Sequence, residues 1–271
     1  MKKLLLILAA IAAIAALGGF AYVLMFMEED PDTLLVGGSS DPGSLPDAQL
    51  NLPREVETQA DVLDALDYET KQNQDTVGWI TIPGTRVNNS VLQAHDNIAY
   101  LRTNQRKEAS VYGSYFADAE CNIGGREVLS PNVVIYGHSD LQDNPEGPRF
   151  SQLFKFTDPE FAGNTPAIQF STMEGFMDWQ VFAVFYTDTS FDYIAADPEG
   201  GVDALAAEAK KKSLYDYGVA VGPDDHILTL STCSVRDGDD GTHRLVVMAK
   251  LLPEGAEPPE TVNIKVQTPA E

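Results

Sequence analysis

The feature that most constrains the fold of this chain is a series of short apolar runs, rich in β-branched and aromatic residues, that Gly, Pro, Asn and Asp interrupt. Between residues 78 and 252 these runs read GWITIPG, ASVYGSYFA, NVVIYGH, AIQFST, DWQVFAVFYT, HILTLSTCS and RLVVMAKLL. Short strands at such spacing are typical of antiparallel barrels and sandwiches. The sequence therefore predicts a mainly β domain with flanking helices, in the α+β class.

Two segments have helical rather than strand patterns. Residues 54–72 place Val62, Leu63 and Leu66 at helical spacing between acidic side chains, which predicts an amphipathic helix leading into the domain. The Ala-rich stretch DALAAEAKKKSL, within residues 202–214, consists of strong helix formers. We therefore expect one helix before the β domain and another inserted before its later strands.

The N-terminal region contains an almost unbroken apolar run over residues 4–27. A helix of that length, rising about 1.5 Å per residue, crosses a bilayer core of about 30 Å. Lys2 and Lys3 precede the run and acidic residues follow it, which predicts a cytoplasmic N-terminus (residues 1–3) and an extracellular remainder. The alternative is a cleaved signal peptide, whose apolar region is usually shorter, about 7–15 residues. We predict a single-pass membrane anchor.

The segments on either side of the β domain lack periodic patterns. Residues 28–53 are rich in Asp, Gly, Ser and Pro and predict a flexible stalk between the membrane and the domain. The domain itself is expected over residues 54–252. The Pro- and Glu-rich tail, residues 253–271, is expected to fray after the final strand.

Charge and cysteine content exclude several classes of partner and cofactor. The net charge of −23 would repel nucleic acid, so no nucleic-acid partner is expected. The two cysteines, Cys121 and Cys233, form neither a disulfide framework nor a zinc motif. The acidic loop at 237–241 could bind calcium weakly, but a solvated loop is the favoured interpretation. We expect no cofactor and no metal site.

Three residues of catalytic type fall at predicted strand ends. His138 follows the run NVVIY, Cys233 ends the run ILTLSTC, and Arg244 begins the next strand. Taken singly, such a histidine is more often structural and such a cysteine a buried small apolar residue. Together they supply the nucleophile, the acid/base and the oxyanion donor that acyl transfer requires. Acyl transfer by a thiol is therefore the candidate chemistry.

The same motifs resemble a known family. NVVIYGH, LTLSTCS and THRLVVMAKL closely resemble the signature of the sortases, and GWITIPGTRVNNSVLQAHDNIAYLRTN resembles the class B version. The likeness runs from about residue 56 to 252. It implies an eight-stranded β-barrel with an N-terminal helix and a helix-containing insertion before the cysteine strand.

The resemblance also implies a function. Sortases cut a sorting peptide after its Thr and pass the acyl group to an amine of a cell-wall precursor or a pilin. Carried over, Cys233 is the nucleophile that forms a thioester, His138 the acid/base and Arg244 the oxyanion stabiliser, with help from main-chain N–H groups near Cys233. The implied partners are surface proteins with a C-terminal sorting motif and a peptidoglycan or pilin amine. The alternatives are a pilin-polymerising sortase, a hydrolytic cysteine peptidase, and a silent binding module.

Substrate contacts are implied by similarity to the class B peptide groove. The positions are Asn97, Leu101, Tyr136, Thr189, Tyr193, Ile194 and Ser231. Simple packing is the alternative for Leu101, Tyr193 and Ile194. Where some class B sequences have an acid two residues after the cysteine, this chain has Val235, so the acid that orients His138, if one does, is open. Asp140 is a candidate. Cys121, His95, His226 and His243 match no motif and are expected to be bystanders.

Overall fold

A computed structural model of the protein describes residues 58–236 and 241–269, which lie within one compact unit over residues 52–271. The predicted anchor (4–27) and stalk (28–53) lie outside the described residues. None of the helices in the described part of the chain is both long and apolar enough to span a membrane. The strands are β1 Thr76–Thr81, β2 Asn88–Leu92, β3 Tyr115–Ala117, β4 Asn132–Tyr136, β5 Ala167–Ser171, β6 Asp178–Thr187, β7 Tyr215–Asp216, β8 Ile227–Cys233, β9 Arg244–Leu251 and β10 Lys265–Val266.

Eight of these strands close into a barrel in the order β1-β2-β3-β4-β8-β9-β6-β5. Most neighbouring pairs are antiparallel, but β2 pairs with β3, and β4 with β8, in parallel. Because β4 and β8 are parallel, their C-terminal ends meet at one end of the barrel. The expected eight-stranded barrel is confirmed, and its parallel pairs bring sequence-distant strand ends together.

The barrel wall is buried on both faces along β4. Val133 and Ile135 belong to the central core, whereas Val134 packs outside the barrel with Cys121 and Ala196. Strands covered on both sides are apolar at every position rather than at alternate ones. This explains the continuous run NVVIY that precedes the candidate histidine.

Within residues 58–236 and 241–269, three α-helices and a 3-10 helix accompany the barrel: α1 Gln59–Gln72, the 3-10 helix Arg149–Thr157, α2 Pro159–Asn164 and α3 Val202–Lys212. Thr58 begins α1 with a capping box shared with Asp61. Val62 and Leu66 of this helix pack on Trp79 of β1. Both helices expected from sequence are confirmed, the first from Gln59 onwards since residues 54–57 lie outside the described part, and the second as the helix inserted between β6 and β8.

Several elements depart from the sequence expectations. The strand β2, the 3-10 helix and α2 were not expected, and Phe150, Leu153 and Phe156 of the 3-10 helix enter the central core. The expected fraying after residue 253 is wrong for residues 262–267. There Val262 N donates to Gly163 O (2.9 Å), and Gln267 N donates to Leu214 O (2.8 Å), on either side of the β7–β10 pair. Apolar side chains at Val262 and Ile264 pack against the core and hold the tail.

A buried ion pair joins α1 to the segment before β3. Arg106 donates from Nη1 and Nη2 to the two carboxylate oxygens of Glu69 at 2.8 and 2.7 Å. The Glu69 side chain is 5% exposed and that of Arg106 is 31% exposed. Such two-pronged geometry is the strong form of an arginine–carboxylate pair.

We expect Glu69→Ala to lower the free energy of unfolding by about 3 kcal/mol, because it leaves the Arg106 guanidinium without its buried counter-charge. Urea unfolding of the full-length chain, followed by the fluorescence of the buried Trp79 and Trp179, measures this loss. Asp67→Ala is the control on the same helix. It breaks only the exposed Lys71–Asp67 pair (2.5 Å) and should change the free energy by less than about 0.5 kcal/mol. Equal losses in the two variants would contradict the importance of the buried pair.

Candidate active site

The ends of β4, β8 and β9 bring the three candidate residues to one end of the barrel. Tyr136 of β4 lies opposite Ser231 of β8, and Cys233 lies opposite Arg244 of β9. His138 follows β4 by two residues, and the next residue, Ser139, donates from Oγ to the Cys233 carbonyl at 2.6 Å. The strand register therefore gathers the thiol, the imidazole and the guanidinium at the same edge.

His138 is partly buried next to Leu101, one of the predicted groove residues. Its Nε2 lies 2.7 Å from the Leu101 carbonyl oxygen. Because a carbonyl only accepts, Nε2 carries the hydrogen in this pair, and Nδ1 is the acceptor of the neutral ring. Burial lowers the pKa of His138; the Leu101 carbonyl opposes this change, and the nearby Arg102 and Arg149 add to it. The site therefore favours a neutral imidazole that can accept a proton.

Cys233 is exposed at the end of β8, and the two amides that follow it are already bonded. Ser234 N donates to the His243 carbonyl at 3.0 Å. Val235 N donates to both carboxylate oxygens of Asp143 at 3.1 Å. Both amides are therefore bonded within the protein in this structure, and help from main-chain N–H groups near Cys233 stays a prediction.

Arg244 is held at the mouth of the β8–β9 hairpin. Its Nη1 donates to the carbonyls of Gly241 and His243, both at 2.8 Å. These bonds hold the guanidinium of Arg244, the residue that pairs with Cys233 across β8 and β9. A planar group held in this way can present its remaining N–H donors in a fixed direction.

Tyr193 and Ser231 form a buried polar pair beside the thiol. Their hydroxyl oxygens are 2.8 Å apart. Burial raises the pKa of Tyr193. The charge of Arg244 lowers it and that of Cys233 raises it slightly, so the phenol interacts electrostatically with both groups. Asn132, buried at the start of β4, donates to the Tyr193 and Ala195 carbonyls at 3.0 Å and thereby ties this loop to the barrel.

Asp118 joins two other predicted groove residues. Its Oδ2 accepts from Asn97 Nδ2 at 2.8 Å and from the Tyr136 hydroxyl at 2.7 Å. The Ala119 amide in turn donates to Asn97 Oδ1 at 2.8 Å. Asn97 and Tyr136 are therefore in one hydrogen-bonded unit, held by a buried carboxylate immediately after β3.

The remaining predicted groove residues, Leu101, Thr189 and Ile194, take no part in these side-chain hydrogen bonds. Leu101 packs with Tyr136 against the cluster of Leu92, Tyr100 and Phe116, and its carbonyl faces His138. Thr189 and Ile194 are exposed on the loop that carries Tyr193. A role for these two in substrate binding stays a prediction.

The hydrogen bonds of Asp140 are made within its own loop and to the 3-10 helix. Its Oδ1 accepts from the amides of Gln142 and Asn144 at 3.0 Å, so it shapes the loop after the histidine. The hydrogen bonds found for Asp140 do not reach His138, whose contact at Nε2 is a backbone carbonyl, so the candidate role of Asp140 in orienting the imidazole stays a prediction.

The thiol and histidines outside the motifs have other surroundings. Cys121 is buried between the Asn132 carbonyl and the Val134 amide, both 3.4 Å from its sulfur, and burial raises its pKa to about 11. His95 lies 3.3 Å from Asp96 at the surface, and His226 contacts the Ser130 carbonyl at 3.1 Å. The backbone of His243 accepts the bonds described above.

Sequence patterns did not single out four polar residues that support the site: Asn132 at the start of β4, Ser139 and Asp143 after its end, and Asp118 after β3. The sequence contains one weak indication of them: a polar residue that directly flanks a buried apolar strand is expected at an end of the barrel. What linked them to the site was pairing between strands distant in sequence, which single motifs do not reveal. Within residues 58–236 and 241–269, no cluster of three or more His, Cys, Asp or Glu side chains could hold a metal ion. Most of the acidic loop at 237–241 lies outside the described residues.

The protonation of His138 gives a testable consequence of its burial. We expect its imidazole to titrate with a midpoint below the ordinary value of about 6.5. Because the folded pKa is below the unfolded one, its contribution to stability is complete above pH 6.5 and is lost as the pH falls through the folded pKa. NMR titration of 15N-labelled histidine measures the midpoint, with His138→Gln identifying the signal among the four histidines.

Arg102→Gln provides the control for the charge contribution. It removes one of the two arginines that lower the pKa of His138, so the midpoint should move upwards. A His138 midpoint at or above 6.5 in the unmodified chain would contradict the burial argument.

Comparison with known proteins supports a specific family. A family model described as "Sortase domain" matches residues 80–252. The chain is 34% identical over 195 residues to sortase B of Listeria monocytogenes, covering 71% of this chain and 76% of that protein.

Solved structures agree in fold as well as in sequence. The structure described as "Staphylococcus aureus sortase B-substrate complex" is similar with a TM-score of 0.62 and 33% identity, covering 72% of this chain and 87% of the other. A second, a crystal structure of sortase B complexed with triglycine, is similar with a TM-score of 0.63 and 32% identity, covering 73% and 89%. The compared structures therefore share both the barrel and a third of the aligned sequence.

Proposed function

Since the chain belongs to the sortase family, as a cysteine transpeptidase of the sortase B type, we propose that it cleaves a sorting peptide after threonine and transfers the acyl group to a cell-wall amine. The product would be a surface protein attached to peptidoglycan. The observation that carries the proposal is the meeting of Cys233, Arg244 and the His138 loop at one end of the barrel, through the β8–β9 register and the Ser139–Cys233 bond.

The first chemical step forms a thioester. The Cys233 sulfur attacks the threonine carbonyl, and the thiol proton passes to neutral His138. The C–N bond of the tetrahedral intermediate then breaks, and His138 returns the proton to the leaving amine. In the second step an incoming amine loses a proton to His138 and displaces the sulfur as a thiolate, to which His138 returns the proton. Over the two steps one amide bond is broken and one is formed, and the thiol and the neutral imidazole are restored. A lowered pKa at His138 suits a group that accepts a proton at neutral pH.

Arg244 is proposed to stabilise the oxyanion in both steps. The amides of Ser234 and Val235 are bonded within the protein, so they are not available to the oxyanion in this arrangement. Arg244 is the residue paired with Cys233 in the β8–β9 register, which supports its guanidinium as the oxyanion donor. Removing a single oxyanion donor typically lowers kcat by about 10²–10³-fold.

The peptide is proposed to lie along the residues joined by Asp118 and by the Tyr193–Ser231 pair. Asn97 and Tyr136 border one side, Tyr193 and Ser231 the other, and Leu101, Thr189 and Ile194 complete the surface. Support comes from the similar sortase B whose structure is described as a substrate complex. The similar sortase B structure complexed with triglycine supports a glycine-containing amine as an acceptor to test.

The proposed location is the outer face of the cell membrane. The apolar run over residues 4–27, with Lys2 and Lys3 before it, supports an anchor with a cytoplasmic N-terminus. The proposed protein partners are surface proteins with a C-terminal sorting motif. Peptidoglycan precursor is the proposed acceptor, and a pilin amine is the alternative within the family.

The test uses the full-length chain in detergent with fluorogenic pentapeptides in which threonine precedes the scissile bond. Triglycine serves as the amine, and the same peptides with valine in place of threonine serve as the control. We expect an acyl adduct on Cys233 by mass spectrometry and a ligated peptide–triglycine product. Cleavage with water as the only acceptor would favour a hydrolytic peptidase, and absence of any adduct would refute the proposal.

A further inference from the structure

The segment that follows the nucleophile is held by side chains of the loop that follows the histidine. Asp143 Oδ2 accepts from Ser234 Oγ at 2.7 Å, and both of its carboxylate oxygens accept from Val235 N at 3.1 Å. Ser139 of the same loop donates to the Cys233 carbonyl at 2.6 Å. Three consecutive residues, 233–235, are therefore bonded to one loop.

The loop is itself constrained so that Asp143 faces this segment. Asp140 accepts from the Gln142 and Asn144 amides, and its own amide donates to Ser151 Oγ at 2.8 Å on the 3-10 helix. Asp143 has a positive φ of 52°, in the left-handed region that few residues other than Gly, Asn and Asp tolerate. The backbone conformation and the carboxylate contact therefore both favour Asp or Asn at this position.

Neither Asp143 nor Ser139 has a place in the chemistry described above. Asp143 does not touch His138 in any described hydrogen bond, and its carboxylate is directed at residues one and two positions beyond Cys233. Its bonds fix the backbone from which the thiol projects. They add to the hydrogen bonds that already join the histidine loop to the cysteine strand: Ser139 Oγ to the Cys233 carbonyl, Thr232 Oγ1 to the Gly137 carbonyl (2.8 Å), and the Gly137 amide to the Ser231 carbonyl (3.3 Å).

We propose that Asp143 is a positioning residue for the transpeptidase reaction, which holds the Ser234–Val235 backbone so that Cys233 is presented to the peptide carbonyl and to His138. The proposal rests on the proposed function for its kinetic readout. Positioning acts on the reacting atoms and not on the groove, so its loss lowers kcat and leaves KM nearly unchanged. Displacement of a reacting group by about 1 Å can lower a rate by up to about 10²-fold.

The test compares Asp143→Ala with Asp143→Asn in the full-length chain, with a cleaved fluorogenic pentapeptide and triglycine as substrates. Asp143→Ala removes every contact and should lower kcat at least tenfold with KM within twofold. Asp143→Asn tolerates the positive φ and keeps one carbonyl acceptor, so it should recover kcat to within about threefold of the unmodified chain. A folded Asp143→Ala variant with unchanged kcat would overturn the proposal, as would an equal fall in kcat for both variants.

Asp158→Ala is the matched control for loss of a capping carboxylate. Asp158 accepts from the Glu160 amide at 2.7 Å at the start of α2 and takes no part in the site. Its kcat should stay within twofold of the unmodified chain. If Asp143→Ala fails to fold, Ser234→Ala decides, since it deletes the Oγ bond to Asp143, together with the bond that Oγ accepts from the Arg236 amide (3.2 Å), and keeps Asp143 in place. Here kcat should fall about threefold or more, and an unchanged kcat would overturn the proposal.

A second readout separates this proposal from the proposed function. The rate of alkylation of Cys233 by iodoacetamide, measured by peptide mass spectrometry at one pH, needs no peptide substrate. A changed alkylation rate in Asp143→Ala, with unchanged rates in Asp143→Asn and Asp158→Ala, would support positioning even if no pentapeptide is cleaved. Unchanged alkylation in all three variants together with unchanged kcat would overturn it.

Discussion

Replacing Cys233 with alanine is expected to abolish adduct formation and to lower peptide cleavage roughly 10⁴-fold or more, since the reaction has no other route to a thioester. The same variant should keep its stability within about 0.5 kcal/mol, because Cys233 is exposed at a strand end. Cleavage and ligation of the fluorogenic peptide, together with the intact mass of the protein, measure the first effect. Thermal unfolding measures the second.

Cys121→Ala is the matched control for this experiment, because Cys121 is the other cysteine of the chain. Its thiol is buried, and its raised pKa of about 11 keeps it protonated at neutral pH. We expect the variant to retain activity within about twofold, with some loss of stability from the emptied space. Retained cleavage in Cys233→Ala, or loss of the adduct in a folded Cys121→Ala variant, would show that the nucleophile has been assigned to the wrong thiol.

Replacing Arg244 with lysine should lower kcat by about 10²–10³-fold while the protein stays folded. The guanidinium contributes two bonds to loop carbonyls through Nη1 and has further donors in the same plane, whereas an ammonium group is a single point of contact. The Ser234 and Val235 amides are bonded within the protein in this structure, so they do not stand ready to replace the lost donor. Steady-state kinetics with the same peptide measure kcat and KM separately.

Arg126→Lys controls for the general effect of exchanging an arginine that binds a backbone carbonyl. Arg126 donates to the Leu252 carbonyl at 2.6 Å, just beyond the opposite end of β9 from Arg244. Its kcat should be unchanged within twofold. A fully active Arg244→Lys variant would remove Arg244 from the chemistry and leave it a role in closing the hairpin.

The barrel was predictable because its strands carry their own signals. Runs such as DWQVFAVFYT and RLVVMAKLL are rich in apolar, β-branched and aromatic residues, which favours a buried strand over a loop. They form the strands Asp178–Thr187 and Arg244–Leu251. The 3-10 helix at Arg149–Thr157 was not predictable in the same way. Phe150, Leu153 and Phe154 do have helical spacing, but the segment has only nine residues, and its order comes from the core into which Phe150 and Phe156 pack.

The candidate site was only partly predictable, for a related reason. Cys233, His138 and Arg244 are chemically distinctive and occur at strand ends that sequence patterns can locate. Asp118 and Asp143 are two of many acidic residues in a chain with 41. Their importance comes from the partners that the parallel strands and the histidine loop bring to them, and no local pattern encodes those partners. The carboxylate of Asp143, although it follows the histidine in the chain, bonds to the segment after Cys233.

The parallel pairing of β4 with β8 couples chemistry to completion of the fold. Ser139 and Cys233, which bond at the site, are 94 residues apart in the chain. Closing a loop of that length has an entropic cost of about 4 kcal/mol, and such long-range parallel contacts form slowly. In a partly folded chain the Cys233 thiol and the His138 imidazole would therefore lie on separate segments, and neither would be next to the other. The thiol and the imidazole therefore share one end of the molecule only in the closed barrel, and we expect the transpeptidase reaction to require it.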